Sequence, residues 1–157
     1  MSYEQGFAIT ANAIFYVYLL WVSGQDHHEM QVVRYSHGLG LAAVVILAVL
    51  YWRDIKENPT GYMLGLIFVW MIQVIAYKCH LYGMADVLVF FICGLYFLTW
   101  KGPRLYLIAY ILLQALAGCF LLIVQIIKRN VKGGHLCKPV AYIPYISFAF
   151  ILTNVVV

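Results

Sequence analysis

The sequence predicts an all-α, polytopic membrane protein with six transmembrane helices. Two observations carry this. Of 157 residues, 65% are hydrophobic and only 10% are charged, where a soluble domain carries about 25% charged residues. The apolar residues also gather into stretches of spanning length, parted by short breaks rich in charges and turn formers. This composition excludes an ordinary water-soluble fold and a disordered chain. A nucleic-acid partner is excluded too, because the net charge of +4 is spread over connecting segments and forms no basic stripe.

About 20 apolar residues are needed to cross roughly 30 Å of hydrocarbon. Measured this way, the spans fall at 7–23, 36–52, 61–77, 81–100, 105–127 and 139–157, in one domain covering residues 1–157. Trp21, Trp52 and Trp100 stand near span ends, where an amphipathic ring suits the headgroup layer. Met1–Gly6 lacks a cationic start and no A-x-A site follows the first apolar run, so that run is expected to stay as a span. With six spans, the first, third and fifth loops share a side. They hold Arg34, Lys78, Lys128, Arg129, Lys132 and Lys138, against Arg53, Lys56, Lys101 and Arg104 on the other. The excess of cations puts the odd-numbered loops in the cytoplasm and both termini outside.

The six carboxylates are Glu4, Asp26, Glu29, Asp54, Glu57 and Asp86. Five are expected in tails or loops, as solvated charges. Asp86 differs, because it sits in the apolar stretch Leu81–Phe91. A helix starting near Leu81 would carry it roughly 7 Å along the axis. An ionisable group inside a span costs about 2.5–3.5 kcal/mol on insertion scales and is functional by default. The alternative is an aspartate that caps a helix start in the headgroup layer. Asp54 is the nearer partner in sequence, yet a single crossing separates it from Asp86, which sends the two to opposite faces. Asp26 lies 60 residues upstream with two crossings between, so Asp26 and Asp86 are expected on the same, cytoplasmic face. Two carboxyl groups within hydrogen-bonding reach share one proton. Such a pair suits peptide hydrolysis by water: the carboxylate deprotonates the water while the acid polarises the scissile carbonyl.

Three stretches resemble the type IV prepilin leader peptidases, integral-membrane aspartic peptidases. Trp21–Arg34, with Asp26, occupies the place of that family's first aspartate, after an opening span. Gly83-Met84-Ala85-Asp86 is similar to its G-x-G-D motif at the head of a later span. Lys138-Pro139-Val140-Ala141-Tyr142-Ile143-Pro144-Tyr145 resembles its P-F-x-P-F lead into the last span. Ala85 stands where the family has glycine, Leu88 where it has lysine, and Val32-Val33-Arg34 where it commonly has Ile-Pro-Asn. The resemblance implies Asp26 and Asp86 as catalytic residues, with Gly83 and Ala85 keeping the backbone open to an extended peptide. It implies prepilin-like precursors as substrates in the plasma membrane, cut at the cytoplasmic side. The chain has neither the extra cytoplasmic domain nor the paired cysteines of longer relatives. It looks like the short peptidase-only form, with no methyltransferase activity, no cofactor and no metal.

The remaining polar groups have plainer readings. Cys79, Cys93, Cys119 and Cys137 form no C-x-x-C pair and read as helix filler. His27, His28, His37, His80 and His135 fall in or beside the cytoplasmic loops without the helical spacing of a spanning haem site; His27 and His28 are candidates for tuning the charge of Asp26. Gln73, Gln114, Gln125 and Asn154 are expected to hydrogen-bond between helices. Two other functions fit the sequence: a small carrier or channel with Asp86 as its ion or proton site, and a non-catalytic relative of the same fold.

Overall fold

The computed structural model describes residues 3–29, 32, 35–79, 81, 83–131 and 141–157. They form α1 (Tyr3–Glu29), α2 (Ser36–Leu50), α3 (Trp52–Glu57), α4 (Pro59–Lys78), α5 (Met84–Val131) and α6 (Ile143–Val156), with no strand among the described residues. Three stretches are long and apolar enough to cross a membrane: Gly6–His27, Pro59–Lys78 and Met84–Ile127. α2 and α6 are shorter apolar helices.

The starts and stops follow local chemistry. α4 opens with Pro59 in its first turn, where a missing N–H costs nothing. Asn58 caps it, its Oδ1 accepting the Gly61 N–H at 3.1 Å. α5 opens with Asp86 reaching back to the Gly83 N–H at 3.1 Å, the third-residue half of a capping box. Inside α5, Gly102 has φ 75° and ψ 171°, a backbone region open essentially to glycine alone. Pro103 follows it. The chain turns back there. A Cβ built on Gly94 would stand 2.9 Å from the Tyr110 ring, although an unbroken helix would part these residues by about 24 Å. α5 is therefore two antiparallel limbs, 84–101 and 103–131.

α4 lies against both limbs. A Cβ on Gly65 would meet Leu98 at 2.6 Å and Tyr106 at 3.1 Å, and one on Gly94 would meet Val69 at 2.6 Å. Such close backbone approach is how helices associate in lipid, where burial of apolar surface alone gives no drive. Gln73 adds a hydrogen bond to Tyr110. α1 is the other centre of packing, touching α2 and α6. Its Phe15 is fully buried, with ring centroids of Tyr96, Phe150 and Tyr18 at 4.2, 5.0 and 5.7 Å. Meanwhile Leu20, Trp21, Val45, Val49, Trp70 and Ile108 are exposed, an apolar exterior compatible with lipid.

Several boundaries differ from the sequence expectation. The first helix does not stop at residue 23 but runs to Glu29, so Asp26 is helical and not in a loop. The second ends at Leu50, and residues 52–57 form the separate α3. The fourth segment starts at Met84 instead of 81, and the last at Ile143, residues 139 and 140 lying outside the described ones. The expected Lys101–Arg104 break is a hinge within α5.

Candidate active site

Asp26 is the one carboxylate in the interior among the described residues, 7% exposed. Its Oδ2 accepts the Ile143 N–H at 2.9 Å, and the Tyr142 backbone N–H donates to the same carboxyl. These donors are the otherwise unpaired amides at the start of α6, where the helix dipole also favours negative charge. The register that brings them there is set further along the α1–α6 seam. Ser23 and Ser147 hydroxyls meet at 2.7 Å, and the Asn154 amide donates to the Tyr16 hydroxyl at 2.7 Å.

Asp86 stands at the same end of the bundle. Because α5 begins at Met84, Asp86 lies in the first turn, about 3 Å along the axis rather than 7 Å. It is half-buried and caps its own helix through Gly83, so the capping alternative raised by the sequence describes part of its role. It also lies within electrostatic range of Asp26. His27 also acts electrostatically on Asp26. Asp54, on α3, lines a cavity with the Gly102 hinge, some 24 Å of helix away from Asp86. The structure puts Asp26 and Asp86 at one end of the bundle, within electrostatic range, and Asp54 at the other.

The other expected site residues divide. Gly83 is exposed, and a Cβ there would press the Asp86 Oδ2 at 3.3 Å. Ala85 is half-buried against the core. Met84, Val87 and Leu88, neighbours of Asp86 on α5, line a mostly apolar cleft of about 480 Å³ against α4, whose side adds Trp70, Val74 and Tyr77 but also Gln73 and Lys78. Leu88 thus shares a cleft that is mostly apolar but includes Lys78 and Gln73. On the α1–α2 side, Ser36 donates to Gln25 at 2.8 Å and buried His37 meets the Tyr18 hydroxyl at 3.1 Å. Among the described residues no three His, Cys, Asp or Glu side chains group as metal ligands. His80, His135, Cys137, Lys132, Lys138 and Pro139 lie outside the described residues, as do the side chains of His28, Lys128 and Arg129.

Sequence reasoning missed the two backbone donors. In the sequence the Tyr142–Pro144 stretch reads only as a lead into the last span. Its function in the fold is to present amides to Asp26, 117 residues away. A proline in the first turn of a helix was the available signal, since it marks where free N–H groups begin. Two carboxyl groups in this arrangement, one held by backbone amides and one at a helix start, can bind and polarise a water between them. In comparisons with known proteins, no family model, no curated protein and no solved structure matches this chain.

Proposed function

We propose that the protein is a membrane-embedded aspartic endopeptidase, and that Asp26 and Asp86 activate the attacking water. The observation that carries this reading is that two carboxyl groups, 60 residues apart in sequence, lie within electrostatic range at one end of an apolar bundle. An interior carboxylate is costly unless it is hydrogen-bonded or functional. Each carboxyl has a backbone donor, Ile143 for Asp26 and Gly83 for Asp86, but capping does not require two acids at the same end of the bundle.

In this reading the pair shares one proton. The ionised member takes a proton from water as the water attacks the scissile carbonyl, and the protonated member polarises the carbonyl oxygen and then protonates the leaving amine. The six apolar segments, with α5 counted as two, each cross the plasma membrane, and the Asp26–Asp86 end faces the cytoplasm. The substrate is a prepilin-like precursor with a short basic leader and an apolar helix, cut at their junction to release the subunit for pilus or secretion-apparatus assembly. The apolar cleft beside Asp86 suits a substrate whose mature part lies in lipid.

The test is co-expression with a prepilin-like precursor, read by the gel shift of leader removal. Cleavage by the native chain and none by Asp26→Asn or Asp86→Asn is the expected result. Normal processing by Asp26→Asn removes the mechanism. Ion flux through liposomes that requires Asp86 but not Asp26 would replace it with the carrier reading.

A further inference from the structure

The end of the bundle opposite Asp26 and Asp86 carries six charged side chains on α3 and the α5 hinge: Arg53, Asp54, Lys56, Glu57, Lys101 and Arg104. Three of them are accounted for. Arg53 pairs with Glu57 at 3.1 Å, and Lys56 lies over the Trp52 ring at 5.4 Å. Asp54, Lys101 and Arg104 have neither an ion-pair nor a hydrogen-bond partner among the described residues. These three line one cavity of about 630 Å³. Its two cations come from the hinge, and its carboxylates, Asp54 and the Arg53-paired Glu57, come from α3. Between them stands Tyr62, within electrostatic range of Asp54 and 3.9 Å from where a Cβ on Gly102 would sit. Nearby, the rings of Tyr51 and Trp100 meet at 5.9 Å. Tyrosine and tryptophan belong at headgroup depth in a bilayer.

We propose that this cavity binds a phospholipid headgroup carrying both a phosphodiester and a primary ammonium, as in phosphatidylethanolamine. The phosphodiester lies against Lys101 and Arg104, and the ammonium donates to Asp54. Two cations on the hinge side suit the phosphate, while Asp54, the lining carboxylate without an ion pair, calls for a cationic N–H donor. A purely anionic headgroup leaves Asp54 without one. A trimethylated ammonium supplies charge but no N–H. The inference depends on residence in a membrane and not on proteolysis.

The test uses the full chain in detergent micelles, titrated with phosphatidylethanolamine, phosphatidylcholine and phosphatidylglycerol of matched acyl chains, with retained lipid read by native mass spectrometry. Phosphatidylethanolamine is expected to be retained about tenfold better than phosphatidylcholine, the difference of a charge-assisted hydrogen bond. Asp54→Asn, an exposed position, should lower it to the phosphatidylcholine level with the far-UV circular dichroism unchanged. The double variant Lys101→Gln, Arg104→Gln should weaken all three lipids. Equal retention of phosphatidylethanolamine and phosphatidylcholine, or indifference to Asp54→Asn, overturns the proposal. So does a preference for phosphatidylglycerol that Asp54→Asn strengthens. Free phosphoethanolamine binding as tightly as the lipid would assign the cavity to a soluble solute and overturn it as well. None of these readouts involves peptide cleavage, so failure here leaves the peptidase reading standing, and the reverse holds too.

Discussion

Asp26 has two separable jobs, and two substitutions at that position tell them apart. As an acceptor it holds the Ile143 and Tyr142 amides. As an acid it would act on water. Asp26→Asn keeps an oxygen for the amides and gives up only the charge assistance, a loss of about 1 kcal/mol. Asp26→Ala leaves two interior N–H groups without an acceptor, at about 1–3 kcal/mol each, so about 2–6 kcal/mol together. The assay is unfolding by SDS in mixed micelles, followed by circular dichroism, alongside leader cleavage. Asp26→Asn should unfold near the native midpoint yet show no leader removal on the gel, its rate lowered by about 10²–10⁴-fold, the usual contribution of a general acid or base. Asp26→Ala should be both inactive and clearly less stable. Coincident midpoints for the two variants would refute the anchoring of α6 by Asp26.

Three further outcomes are expected. Asp86→Asn should abolish cleavage while α5 still begins at Met84, since the amide oxygen can accept from Gly83, whereas Asp54→Asn should cleave at the native rate; a gel-shift time course decides both. Gly102→Ala should destabilise the fold by about 1–3 kcal/mol, the cost of a side chain in that backbone region, seen as an earlier SDS midpoint. Ser23→Ala and Ser147→Ala in a double-mutant cycle should show a coupling of about 0.6 kcal/mol, the average for hydrogen bonds between membrane helices, and a zero coupling would remove that bond from the α1–α6 seam.

Much of the architecture could be read from hydropathy, because lipid compels every backbone amide into a helix. Helix ends were harder. Residues 24–29 contain glycine, glutamine and charges, and on composition they resemble a loop. They stay helical where Gln25 finds Ser36 and Asp26 finds the start of α6, partners from distant sequence that no local window contains. Asp86 was placed too deep for a similar reason: Leu81 is apolar enough to extend the span, yet the capping bond to Gly83 sets the start at Met84. Counting crossings predicts Asp26 and Asp86 on one face and Asp54 on the other; in the structure Asp26 lies within electrostatic range of Asp86, and Asp54 lines the cavity at the hinge end. The donors to Asp26 were invisible because every residue but proline carries an amide N–H, and only the fold decides where one points.

The hold of α6 on Asp26 also bears on the order of assembly. A nascent chain that has inserted everything up to the second limb of α5 already contains both acids, but the first still lacks the amides that fix its carboxyl. In the proposed peptidase that centre would be complete only once α6 docks, so a chain still short of α6 would stay idle.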